Sequence, residues 1–270
     1  MADSESGGGR RYVVLAVVIM LLAALPFSPF VSFRSSQHID TESASLDSNL
    51  PTKDSDNDGL PDWWEMEFNL DPFDASDALL DSDQDGHDRN RNGILEEEEF
   101  FTNLMEFEIR NQLGNSTNPT NSDTDGDGMP DGWEAFYGLN PNSALDSSLD
   151  FDSDGYDADG DGEMSPDEKF TNYEEFLMDS NPALADTDGD NCTDGWEIYW
   201  NDNRPANETR SINLLDGSDG FLDYDDDGWE DWDGIAYPFP NWREEVANTN
   251  PWNPDTDGDS MTDGYEADNG

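Results

Sequence analysis

The sequence predicts a mostly irregular chain with short α-helices, laid out as an elongated tandem array of acidic loops behind an N-terminal apolar segment. Three observations predict it. Aspartates at alternate positions, most runs closed by a Gly, recur throughout 54–270. Their starts are regularly spaced, and a fixed period indicates stacked units rather than one globular core. A net charge of −55 with only 33% hydrophobic residues places the bare chain among sequences that stay disordered in water.

Each run has a definite grammar. In 54–65, Asp54, Asp56, Asp58, Asp62 and Glu65 fall at positions 1, 3, 5, 9 and 12, with Gly59 at 6 and Leu60 at 7. That is the spacing of the twelve-residue calcium loop: carboxylates at 1, 3 and 5, a backbone carbonyl at 7, and a bidentate Glu at 12. Gly suits position 6 because the chain turns sharply there, and Gly alone takes positive φ without steric cost. The segment 123–134 obeys the same rule with Asp123, Asp125, Asp127, Gly128, Met129, Asp131 and Glu134. Acids at 1, 3, 5 and 12 alone would arise about once by chance in so acidic a chain; the full rule lowers that to about 0.02 copies.

Five further segments follow the pattern with departures. Asp186, Asp188, Asp190, Cys192, Asp194 and Glu197 keep it with Asn191 at position 6; Asp255, Asp257, Asp259, Met261, Asp263 and Glu266 keep it with Ser260 there. In 88–99 the set is Asp88, Asn90, Asn92, Ile94, Glu96 and Glu99; in 157–168 it is Asp157, Asp159, Asp161, Glu163, Ser165 and Glu168. The run Asp223, Asp225, Asp227, Trp229 and Asp231 lacks the final Glu, since Gly234 stands there, so this site reads as weakened or differently completed.

The loops alternate between two types. The first, starting at 54, 123, 186 and 255, ends in Trp-Glu or Tyr-Glu; the second starts at 88, 157 and 223. Pairing them gives a repeat of 63 to 69 residues: calcium repeats at 54–122, 123–185 and 186–254, and the start of a fourth at 255–270. The triplets Asp81, Asp83, Asp85 and Asp150, Asp152, Asp154 precede second-type loops by identical offsets. Two readings of them stay open, additional ion sites or solvated acidic linkers.

Apolar residues recur at near-helical intervals after the second-type loops: Phe101, Leu104 and Phe107, then Phe170, Tyr173, Phe176 and Leu177. Pro166 suits a helix start and Asn181-Pro182 a helix end. A short helix at 133–137 is closed by Gly138 and Pro141. These aromatic residues are expected to pack between successive loops.

A paired helix–loop–helix hand needs a helix entering each loop. Here the entering segments 118–122, 182–185 and 251–254 carry prolines that interrupt helix. With only exiting helices and serial Asp-x-Asp-x-Asp-Gly runs, 54–270 resembles thrombospondin type 3 repeats and the half-hand, EF-hand-like loops of dockerins and prokaryotic surface proteins. The resemblance implies an elongated, calcium-clad structure outside the cell, with ions in place of a hydrophobic core. Seven loops in series favour the thrombospondin-like array over the dockerin pair.

At the N-terminus, polar residues 1–11 end in Arg10-Arg11, and an apolar segment spans 12–33, of which 12–25 is unbroken. It reads as a signal anchor or a signal peptide, with the arginines inside and the acidic array exported. Residues 34–53 read as a flexible tether. Outside the cell, near-millimolar calcium fills even weak loops. Cys192 is the only cysteine, so no intrachain disulfide staples the array, and metal takes that role. Eleven Lys and Arg without a patch exclude nucleic acid as a partner.

These features point to a membrane-anchored extracellular stalk, spacer or adhesion module stiffened by calcium, with a protein or glycan partner the sequence does not name. The alternative is the N-terminal, calcium-binding region of a larger secreted or surface enzyme, a hydrolase with its catalytic domain beyond residue 270. The chain stops soon after a first-type loop, which reads as truncation, and 1–270 carries no catalytic constellation. A third expectation is a disordered, low-affinity calcium buffer.

Overall fold

A computed structural model describes residues 53–270 apart from Trp232. The described chain is mostly irregular, with short α-helices and one two-stranded ribbon. In order these are α1 (Asp62–Phe68), a 3-10 turn (Asp77–Leu79), α2 (Asn103–Glu108), α3 (Arg110–Leu113), α4 (Asp131–Tyr137), α5 (Asn172–Met178) and α6 (Asp194–Asp202). The ribbon β1 (Trp229–Glu230) and β2 (Ala236–Tyr237) follows, then α7 (Asn241–Ala247) and α8 (Asp263–Asn269). The segments 1–11 and 12–33 and nearly all of 34–53 lie outside the described residues. Among the described residues no helix is long and apolar enough to cross a membrane.

The helices α1, α4, α6 and α8 all begin at position 9 of a first-type loop, behind an extended residue: Pro61, Pro130, Thr193 or Thr262. Asn69 and Gly138 close α1 and α4 in the left-handed conformation, which frees the chain to turn away. The Pro-containing segments ahead of the loops are turns, not helices.

The other helices differ from expectation at their starts. Pro166 lies in a turn; α5 begins at Asn172, capped by Thr171 in a reciprocal box with Glu174. Thr102 caps α2 by accepting the Met105 N–H at its side-chain oxygen, and Pro240 precedes α7. The first residue of each, Asn103, Asn172 or Asn241, is buried. Its Nδ2 donates to the carbonyl oxygen of Asp77 (2.8 Å), Asp146 (2.9 Å) or Asp219 (2.8 Å). Its backbone N–H donates to Leu80, Leu149 or Leu222. One Asn thus pins a helix to a strandless loop more than twenty residues upstream, where no sheet exists to do so.

Apolar packing comes in small separate clusters. In one, Leu60, Trp64, Ala78 and Phe107 meet, with Trp64 and Phe107 edge to face at 5.4 Å. In the next, Met129, Trp133 and Leu139 take Phe176, whose ring lies 5.3 Å from that of Trp133. In the third, Cys192, Trp196, Ile212 and Tyr224 are joined by Trp252, stacked on Tyr224 at 5.2 Å. Positions 7 and 11 of the first-type loops at 54, 123 and 186 therefore supply the cores. The expected stripe on α5 is only half used, since Tyr173 and Leu177 are exposed while Phe170 is buried.

In a chain with so little apolar surface to lose, Trp64 is expected to matter disproportionately. Trp64→Ala should lower stability by about 3–5 kcal/mol in calcium-saturated denaturant unfolding, whereas Met66→Ala, on the exposed face of the same helix, should change it by less than about 0.5 kcal/mol.

Candidate cation-binding cages

Backbone geometry builds the loops first. The carboxylate at position 1 accepts the position-6 N–H in six loops, the run at 223 excepted: Gly59 to Asp54 at 3.2 Å, Gly93 to Asp88 at 2.6 Å, Gly128 to Asp123 at 3.0 Å. The same bond joins Gly162 to Asp157, Asn191 to Asp186 and Ser260 to Asp255. Position 6 has positive φ throughout, 104° at Gly59 and 101° at Gly128, but also 76° at Asn191 and 81° at Ser260. The two departures from Gly therefore keep the turn and bear its steric cost. The position-5 side chain accepts the position-7 N–H, as Asp58 does from Leu60 and Asp127 from Met129. The carboxylates of positions 1, 3 and 5 converge: oxygens of Asp54, Asp56 and Asp58, and of Asp123, Asp125 and Asp127, lie within 4.8 Å of one another.

Position 9 has a different role from the one its spacing suggests. Asp62, Asp131, Asp194 and Asp263 each use both carboxylate oxygens on the position-2 residue of their own loop. Asp131 accepts the Thr124 N–H at 2.8 Å and its hydroxyl at 2.6 Å; Asp194 holds Thr187, Asp263 holds Thr256, and Asp62 holds Ser55 in the same way. The Asp is a latch that ties the helix start to the loop start.

The Glu at position 12 is the reverse. Glu65, Glu134 and Glu197 are fully buried, and neither oxygen of any of them has a hydrogen-bond partner among the described residues. Facing each is an Asp that the spacing rule did not include. Asp77 joins Asp58 and Glu65 within 4.8 Å. Asp146 presses its charge on Glu134, and Asp219 does so on Glu197. One oxygen of each caps a turn, accepting from Asp71, Asn140 or Asn213, and the other is unpartnered among the described residues. The signal in the sequence is an Asp four places before each aspartate triplet. Burial first, then the neighbouring carboxylates, pushes Glu65 up to about 7, Glu134 to about 10 and Glu197 to about 11.

The second-type loops 88–99 and 157–168 are largely exposed, Glu99 being buried, and internally satisfied. Asn90 Nδ2 donates to Glu96 and Glu99, and Asn92 Nδ2 donates to Glu96 at 3.0 Å. Glu168 accepts the N–H groups of Ala158 and Ser165, and its bonds with Ser165 hold its carboxyl below the usual range. Ile94 and Glu163, at position 7, point to solvent.

The run at 223 is not a second-type loop. Its offset from Asp219 matches that of Asp81 from Asp77 and of Asp150 from Asp146, and Asn241 holds Asp219 as Asn103 holds Asp77, so it is the third triplet. Where the other copies carry a second-type loop, this one carries the β1–β2 hairpin. Trp229 stacks on Tyr237 within it at 4.7 Å, and Asp231 accepts the N–H groups of Asp233 and Ile235 at its turn. The buried carboxylate beside Asp225 and Asp227 is Glu244, which the loop spacing missed. In the loop 255–266 Met261 and Tyr265 are exposed, unlike Met129 and Trp133.

No protein-family model matches this chain, and neither curated proteins nor solved structures include a significant match to it.

The raised carboxyls make acid response diagnostic. A carboxyl held above its unfolded value favours the compact state below about pH 4 and opposes it as pH rises through the folded values, here about 7 to 11. In chelator, acidifying from about pH 8 to about pH 4 should therefore increase near-UV circular dichroism. In calcium the sign reverses, because protons displace the ion and weaken its binding.

Proposed function

We propose that this chain binds calcium through its tandem loops, and that binding converts an acidic, self-repelling polypeptide into an elongated, stiffened spacer or adhesion module. The observation that carries the reading is the convergence of buried carboxylate oxygens without a donor among the described residues: at Asp56, Asp58, Glu65 and Asp77, at Asp125, Asp127, Glu134 and Asp146, and at Asp188, Glu197 and Asp219. A buried charge without a partner costs several kcal/mol, so a cation is the chemically sensible counterpart.

The donor set selects the ion. The inward side-chain groups named above are carboxylates, and oxygen-only cages with six to eight donors, a bidentate Glu and the position-7 carbonyl among them, suit calcium. Magnesium demands octahedral geometry and retains water; zinc prefers nitrogen and sulfur. The one thiol, Cys192, sits in the apolar cluster against Trp196 and Tyr224, with burial pushing its ionisation far up. Asp54, Asp56, Asp58 and Glu65, completed by Asp77, would hold one ion. Asp123, Asp125, Asp127, Glu134 and Asp146 would hold the next, and Asp186, Asp188, Asp190, Glu197 and Asp219 the third. Binding them would pull the 3-10 turn region onto α1 and its counterparts.

The apolar segment 12–33 supports export and attachment to a membrane, which places the loops where calcium is abundant. A partner for adhesion would be a protein or glycan met on that outer side.

A calcium titration of the intact chain, with small-angle scattering at each point, tests the reading. Saturable uptake with loss of chain flexibility is expected, and magnesium should not substitute. Glu134→Gln should remove one ion from the stoichiometry. Absence of uptake, or equal response to magnesium, would contradict it.

A further inference from the structure

The triplets left open by the sequence form a second kind of cluster, at the boundary between repeats. Oxygens of Asp81, Asp83 and Asp85 converge within 4.8 Å, and so do those of Asp85, Glu106 and Asp131. Asp131 belongs to the following repeat. Asp85, Glu106 and Asp131 are each at most 2% exposed. Both oxygens of Asp83, one of Asp85, one of Glu106 and the Oδ1 of Asn103 have no partner among the described residues.

The arrangement recurs twice. Glu175 is buried beside Asp152 and Asp154, with Asp194 of the next repeat facing it; Glu244 is buried beside Asp225 and Asp227, with Asp263 facing it. Both Glu175 oxygens and one Glu244 oxygen are unpartnered among the described residues. The third copy keeps the cluster although the loop between triplet and Glu has been replaced by a hairpin. The cluster is thus maintained independently of the segment that joins its parts.

The second residue of the following helix closes the boundary. Gly132 N–H donates to Asp85 Oδ2 at 3.1 Å, Gly195 to Asp154 at 3.3 Å, and Gly264 to Asp227 at 2.9 Å. A Cβ on Gly132 or Gly195 would collide with the carbonyl oxygen of Asp85 or Asp154; on Gly264 it would crowd Phe239 and the Asp227 carbonyl. Trp63 fills this position in the first repeat, which has no triplet before it.

We propose that each of these three boundaries is a further calcium site, in which Asp81, Asp83, Asp85 and Glu106, or their counterparts, bind an ion together with Asp131, Asp194 or Asp263 of the next repeat. The proposal rests on the calcium reading above and extends it: loop ions order each repeat, and boundary ions join consecutive repeats. Ligands from both sides make the joint depend on metal rather than on apolar contact. The all-carboxylate donors again select calcium.

Bound calcium per intact chain, measured by equilibrium dialysis and elemental analysis, tests this. The variant combining Glu106→Gln, Glu175→Gln and Glu244→Gln should hold three fewer ions than the parent chain. The reference combines Glu65→Gln, Glu134→Gln and Glu197→Gln and should lose the three loop ions. An unchanged count in the first variant, with loss in the reference, overturns the boundary sites and leaves the loop reading standing. No change in either, or no calcium on the parent chain, overturns both. Glu106→Gln alone leaves two boundaries intact, which guards against misfolding of the triple variant. It should lose one ion with parental tryptophan emission, and loss of none overturns the proposal.

Discussion

Repulsion among buried carboxylates is the constraint on which everything else in this chain depends. Two like charges about 4 Å apart in a surface-like environment repel by about 4 kcal/mol. The cages place several such pairs together, with Glu65, Glu134 and Glu197 shut off from water. No apolar cluster here is large enough to offset that. Backbone donors within the loops go to positions 1 and 5, and the latch donors to position 9. What remains is a set of inward oxygens whose charge only a proton or a cation can balance.

The rest of the architecture serves to aim those oxygens. Helices of about seven residues are too short to persist alone, so their stability must come from tertiary attachments. Helices α1, α4 and α6 each have three: the Asp latch to its loop, a Trp in a small cluster, and a buried Glu directed into the cage. The helices α2, α5 and α7 add the Asn that clamps an upstream loop. Rigidity is thereby local and repeated, with few residues working across long separations. The exposed loops 88–99 and 157–168 contrast with this, because amides and backbone donors already satisfy their carboxylates.

Spacing made the first-type loops legible. Positions 1, 3, 5 and 12 are close in sequence, so local geometry alone brings them together, and the irregular, short-helix character followed from the same pattern. What escaped lies at long separation. Asp77 meets Glu65 only after the chain has folded back through the 3-10 turn, and Glu106 meets Asp85 across a whole second-type loop. The run at 223 misled because its triplet resembles a loop start, while the next residues form a hairpin. Gly132, Gly195 and Gly264 did carry a readable signal: a Gly before Trp or Tyr appears only where a triplet precedes it. Its meaning is steric, an approach too close for a Cβ, and it becomes visible only when the facing carbonyl is known.

Amide hydrogen exchange of the intact chain, in calcium and in excess chelator, tests most directly whether cations hold this fold together. The account predicts slow exchange at the N–H groups of Gly132, Gly195 and Gly264 and along the neighbouring helices in calcium, and fast exchange at the same sites once the ion is removed. Equal protection in both conditions would show that the buried carboxylates are accommodated without metal, and would contradict it.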